Sequence, residues 1–259
     1  MALKSSIALF IWGKGDLSPY AQALSTWSHT REYVTVFSDD PKASQIHYLL
    51  FPELMKKSGF DLIVHDIADT VHHSVAFHYL IKWPGALFFN SIALPTFSRG
   101  TSHSPFDEWG YKLVLNVVVP DEAEKIARMD ENGIDTNDLF KRNPLAYALA
   151  VRSAAVVVND YKSALMLESK PHVPPLSIIE FPDSPAGQKN FENAVDKMIP
   201  LWCKRSEVTA ETIPAINHPH LEMMQVEKSR ISDRFDSEQK LLSQFAADAL
   251  ESLSASEDR

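Results

Sequence analysis

Hydrophobic positions along the chain fall into short blocks separated by polar turns. Ile7-Ala8-Leu9-Phe10-Ile11-Trp12 is a continuous apolar run that ends in Gly13-Lys14-Gly15-Asp16, the pattern of a strand buried on both faces and followed by a tight turn. A helix is predicted next: Asp16 or Ser18 can cap it, Pro19 suits its first turn, and Tyr20, Ala23, Leu24 and Trp27 recur at helical spacing. Tyr33 to Phe37 is β-branched and aromatic and ends at Ser38-Asp39-Asp40, a second strand. The rhythm continues with a helix near Phe51 to Ser58, a strand at Leu62 to Val64, a helix over Val71 to Lys82, and the buried run Ala86 to Phe89 entered through Trp83-Pro84-Gly85. Such alternation predicts an α/β fold, a Rossmann-like parallel sheet with helices on both faces.

The second half is less regular. Pro95 to Gly110 is rich in Ser, Thr, Pro and His without a usable period, and reads as a loop. Tyr111 to Val119 suits a strand or a buried helix equally, because periodicity alone does not separate the two. Asp121 to Met129 and Pro144 to Arg152 read as helices, Ala154 to Val158 as a strand ending at Asn159-Asp160, and Leu176 to Phe181 as the last strand. From Asn190 the pattern changes. Phe191, Ala194, Val195, Met198 and Ile199 mark a helix, Glu207 to Pro219 is linker-like, and Ile231, Phe235, Leu242, Phe245, Ala249 and Leu253 predict a final amphipathic helix. The organisation expected is a Rossmann-like domain over 1–189 and a helical C-terminal extension over 190–259.

Composition narrows the function. Of 259 residues 45% are hydrophobic and 23% charged, which is ordinary for a globular chain. A net charge of -9 argues against a nonspecific grip on nucleic acid. No run approaches the ~20 apolar residues of a transmembrane helix. The single Cys203 cannot form an internal disulfide, and no secretory leader is recognisable, so a cytoplasmic location is expected.

Candidate chemistry gathers near one strand end. His65, Asp66, Asp69, His72, His73 and His78 form the densest polar cluster, with His72 and His73 three and four residues after Asp69. These are ligand types for zinc or another divalent cation, so a metal-dependent hydrolase is one reading. The other is a polar cleft mouth with one or two packed histidines, and since no established metal motif is matched, no metal site is assigned. Gly13-Lys14-Gly15-Asp16 can cradle a phosphate or simply make a turn that needs small residues; it matches neither a Walker loop nor the full dinucleotide fingerprint. Cys203 reads as an incidental thiol, and Ser74, Ser91 and Ser98 lack a nucleophile-elbow context.

Several stretches, in order, resemble one family. Gly15-Asp16-Leu17-Ser18-Pro19-Tyr20, Tyr33 to Asp39, Phe60-Asp61-Leu62-Ile63-Val64 with His73, Trp83 to Phe89, Ala155 to Tyr161 and Ile178 to Pro182 resemble the N-terminal domain of GT-B glycosyltransferases of the bacterial glycogen-synthase-like, retaining group. The resemblance covers about residues 5–182. It implies an acceptor cleft at the strand ends, with Gly15, Asp16, Asp69, Asn90 and Asn159 as ligand-binding candidates and His73 as the acid-base candidate. No cofactor is implied. The departures are specific: Asn90-Ser91 stands where such enzymes usually have His-Asp, Asn159-Asp160 where they have His-Ser, and Ala68-Asp69 where Gly-Asn is typical. Asparagine still hydrogen-bonds a hydroxyl but does not titrate near neutrality. The 77 residues after Pro182 are too few for a second, nucleotide-sugar-binding domain. The expectation is therefore an acceptor- or partner-binding half with little activity alone, its partners a glycan acceptor and either a donor-domain subunit or a second copy joined through the C-terminal helix. The alternative is an active glycosyltransferase, alone or completed by a separate donor-binding chain.

Overall fold

The structure is a computed structural model that describes residues 6–12, 17–38, 40, 44, 46–70, 73, 76, 79–80, 83–102 and 110–211. Within them, β1 (Ile7–Ile11), β2 (Val34–Ser38), β3 (Ile46–His47), β4 (Leu62–Ile67), β5 (Ala86–Phe89), β6 (Ala155–Val158) and β7 (Leu176–Ile178) form one seven-stranded sheet in the order β3-β2-β1-β4-β5-β6-β7. Every pairing is parallel. The order reverses between β1 and β4, so this is a doubly wound, Rossmann-like α/β fold with its switch point at that pair of strands.

Strand alternation explains why the apolar runs are continuous. Ala8, Phe10 and Trp12 face one core while Ile7, Leu9 and Ile11 face another. β5 and β6 divide the same way, Leu87, Phe89, Val156 and Val158 against Ala86, Phe88, Ala155 and Val157. Both faces are covered by helices, so neither set can be polar. The second core is closed by α1 (Pro19–Ser28) and by a long helix whose buried Phe191, Val195, Ile199 and Trp202 lie over the sheet. The first takes Phe51 of α2 (Phe51–Ser58) and then α3 (Pro95–Ser102), α4 (Gly110–Val118), α5 (Ala123–Glu131), α6 (Asn137–Phe140), α7 (Ala146–Ala150) and α8 (Tyr161–Glu168); the long helix of the second core is α9 (Pro185–Glu211).

Two glycines have geometric reasons. A Cβ on Gly85 would lie 2.1 Å from the Ile63 carbonyl oxygen, so only glycine lets β5 enter beside β4. Gly59 ends α2 at φ 65°, a left-handed position that also favours glycine.

The structure corrects several sequence expectations. The stretch read as a loop from Pro95 contains α3: Pro95 takes the first turn, the Asp69 carboxylate accepts the Phe97 N–H at 2.9 Å, and Phe97 is buried. A cap supplied from another strand end has no local signature. Tyr111 to Val119, left open between strand and helix, is helical as α4. The helix expected from Asn190 begins at Pro185 and continues through Glu211, into the stretch read as a linker, carrying Pro200 within it. The last strand stops at Ile178. Of the helix expected over Val71 to Lys82, the described residues Ala76, Tyr79 and Leu80 are helical. The short β3 and the helix α8 were not anticipated. Among the described residues no helix is long and apolar enough to cross a membrane. The expected amphipathic helix from Ile231 to Leu253 lies outside the described residues.

Candidate functional site

The carboxyl ends of the central strands carry two polar constellations. The first sits beneath the start of α1. Asp66, near the end of β4 and fully buried, faces the α1 side because its strand neighbour His65 faces the other core. The Ser18 hydroxyl lies 2.9 Å from both Asp66 carboxylate oxygens, and Asn90 Nδ2 donates to Oδ1 at 2.6 Å. Asn90 Oδ1 accepts the Tyr20 N–H at 3.0 Å, and Ser18 Oγ accepts the Ala21 N–H at 3.1 Å. Pro19 has no N–H to offer. The Tyr20 and Ala21 donors of α1 are thus consumed by the Asn90 and Ser18 side chains, both of which are bonded to the buried Asp66 carboxylate.

Burial pushes the Asp66 carboxyl above its ordinary range, partly offset by His73 and by the Ser18 and Asn90 hydrogen bonds. His73 is 3% exposed; its Nδ1 lies 3.1 Å from the Ala68 N–H and 3.1 Å from the Asp66 carbonyl oxygen, and 3.8 Å from Asp66 Oδ2. This expected acid-base residue is therefore buried and bonded to the β4 turn.

The second constellation is an open cleft of about 350 Å³ beside the ends of β5 and β6. That volume is at the low end of the ~300–1,000 Å³ typical of small-molecule sites. Asn90, Ser91, Asn159, Asp160, Lys162 and Lys141 supply its polar wall, and Ile92 and Met166 part of its apolar one. Asp160 caps α8, accepting the Ser163 N–H at 2.8 Å and the Ser163 hydroxyl at 2.7 Å. Burial alone would raise its pKa, but these bonds, with the Lys162 backbone and ammonium, hold it below the usual carboxylate range. Lys141 is paired with Asp138 at 2.6 Å.

The candidate residues thus separate. Asn90 and Asn159 line the same cleft, but the Asn90 amide is spent on Asp66 and Tyr20. Asn159 is half-buried at the cleft wall, and no hydrogen bond to its side chain is found among the described residues. Asp69 caps α3 and His73 lies beneath the surface. Gly15 and Asp16, with His72 and His78, fall outside the described residues. Asp160, Ser163, Lys141 and Lys162 were missed by sequence reasoning, although Asp160 and Ser163 stand at N-cap spacing, a local signal that could have found them.

Among the described residues the histidine-carboxylate cluster divides, with His73 near Asp66 and His65 apart from both. His65 is fully buried against Phe10, ring centroids 4.8 Å apart, while Asp66 faces the opposite side of the sheet. Among the described residues no group of three or more His, Cys, Asp or Glu side chains is placed to hold a metal ion. Comparison of the chain with protein-family models, with curated proteins and with solved structures returns no match.

Proposed function

We propose that this chain is the acceptor- or partner-binding half of a GT-B-like glycosyltransferase, with little transferase activity alone. The reading rests on the ordered sequence resemblance and, above all, on the cleft at the ends of β5 and β6, where the Asn159 amide, the Ser91 hydroxyl and the Asp160 carboxylate offer donors and acceptors suited to sugar hydroxyls. Sugar transfer is assayed with the purified chain, a panel of nucleotide-sugars and simple glycan acceptors. No transfer above the protein-free rate is expected, and turnover by the single chain would sink the proposal.

A second reading, in which a separate donor-binding chain completes an active enzyme, is favoured by the filled start of α1. With Tyr20 and Ala21 N–H engaged by side chains bonded to Asp66, a nucleotide-sugar diphosphate would find those donors taken. Copurification from the native source with a Rossmann-like protein, and transfer only when both are present, is the outcome this reading requires.

A further inference from the structure

The two helix starts at the crevice are filled from within. At α1 the Asn90 and Ser18 side chains take the Tyr20 and Ala21 N–H groups and are themselves bonded to the buried Asp66. At α8 the carboxylate of Asp160, half-buried on the wall of the open cleft, takes the Ser163 N–H directly. A helix N-terminus favours anions because its first N–H groups have no partners and its dipole is positive there. Here the Asp160 carboxylate takes the Ser163 N–H and hydroxyl, so the anion-binding capacity of α8 is used internally. The two ammonium groups on the cleft wall do not restore it. Lys141 is held by Asp138 at 2.6 Å, and Lys162 acts on Asp160. With the Lys141 charge matched by Asp138, which lies outside the lining, the charged pair left on the cleft wall is Lys162 and Asp160.

We propose that the cleft selects neutral, hydroxyl-bearing ligands over phosphorylated ones, and that Asp160 is the residue setting that selectivity. The proposal rests on the reading of this cleft as the acceptor site and adds to it the charge class of the ligand. A phosphate brought to the α8 start would face the Asp160 carboxylate across a short distance, a like-charge approach that partial desolvation makes more costly. A sugar hydroxyl instead donates to that carboxylate and accepts from the Asn159 amide, the Ser91 hydroxyl or the Lys162 ammonium. Ile92 and Met166 provide an apolar surface for the C–H face of a ring.

The substitution that isolates the charge is Asp160→Asn. Asparagine caps a helix about as well as aspartate, so α8 keeps its start while the negative charge is removed. The full chain, labelled with ¹⁵N, is titrated separately with inorganic phosphate, glucose 6-phosphate and each of glucose, galactose, mannose and N-acetylglucosamine, following the Asn159 side-chain amide and the Lys162 and Ser163 backbone amides. In the wild-type chain at least one neutral sugar is expected to shift these signals, with phosphate and glucose 6-phosphate at least tenfold weaker. In D160N the gap should close by tenfold or more through a gain for the phosphorylated probes. Phosphate binding in the wild type as strong as that of the neutral sugars, or a gap unchanged in D160N, overturns the selectivity while leaving the cleft as a binding site. No shift at these three positions with any probe in either protein overturns the selectivity and the acceptor-cleft reading together. A signal set in D160N that differs from the wild type throughout the chain calls for the same titrations on Lys162→Gln, in which the wild-type preference for neutral sugars must persist if Asp160 and not Lys162 sets it.

Discussion

At the scale of single residues, His65 shows how burial decides chemistry. Its imidazole is stacked between strands against Phe10, and among the described residues neither ring nitrogen makes a well-formed hydrogen bond, although the Trp83 backbone acts on the ring. Burial pushes its pKa down to about 3, only partly offset by the Trp83 backbone. The folded chain therefore stays unprotonated at His65 where the unfolded chain, near 6.5, takes up a proton, and stability is lost as pH falls from about 6.5 towards 3. Each unit of pH in that window removes up to ~1.4 kcal/mol. His65→Phe keeps the stacking and removes two polar atoms that lack a well-formed hydrogen bond, so it should raise stability in urea unfolding at pH 7 by about 1 kcal/mol, with the advantage growing at pH 5. A gain that shrinks on acidification would contradict this account. Gly85→Ala tests the opposite situation, a missing side chain that geometry demands. With Ile63 oxygen 2.1 Å from the added Cβ, β5 must shift away from β4, and a loss of ~3 kcal/mol or failure to fold is expected in thermal unfolding.

At the scale of elements, α9 is held to the sheet by an apolar stripe and to α1 by a charged clasp. Phe191 and Trp202 reach Phe88 on β5, with ring centroids 6.2 and 5.7 Å apart. Asp196 accepts from Trp27 Nε1 at 2.8 Å and from Arg31 at 3.0 and 2.6 Å. Trp202→Ala leaves a cavity under the helix and should cost ~3–5 kcal/mol; amide exchange across residues 185–205 should then quicken before the central strands exchange. Burial alone would raise the Asp196 carboxyl, but the Arg31 and Trp27 hydrogen bonds outweigh it and hold the group below its ordinary value. A depressed carboxylate contributes stability above its unfolded pKa and loses it as pH falls through the folded one, so this clasp weakens below about pH 4. Melting curves of Asp196→Asn and wild type, separated at pH 7, should converge in that acid range. A similar cross-link ties α3 and α4 to the end of α5, where Asp130 accepts from Arg99, Thr136 and Tyr111. Sequence patterning cannot reveal these ties. The first clasp joins residues 165 to 169 apart, and in the second Arg99 and Tyr111 stand 31 and 19 residues from Asp130, although the helices themselves are legible from their periods.

At the scale of the whole molecule, the order of strands and helices was readable because each buried strand needs apolar residues on both faces, and each crossover helix needs one apolar stripe. The runs at Ile7, Ala86 and Ala155 state that requirement directly, and the switch point between β1 and β4 follows once the strands are ordered in space. The site was readable only in part. Asn90 and Asn159 were marked by following a strand, which locates a residue at the carboxyl edge but does not say what its side chain will bond. Tertiary structure set Asn90 beside Ser18 at the start of α1 with Asp66 bonded to both, turned Asp69 into the cap of α3, and left Asn159 on an open wall. It also separated His65 from Asp66, adjacent in sequence and on opposite faces of the sheet, because side chains alternate along a strand. What the sequence by itself determined is the architecture, since periodicity and burial are local, additive demands on each segment. What only the folded chain decided is which polar groups satisfy one another and which remain for a ligand, because those partners are distant in sequence and meet solely through the packing of the sheet and its helices.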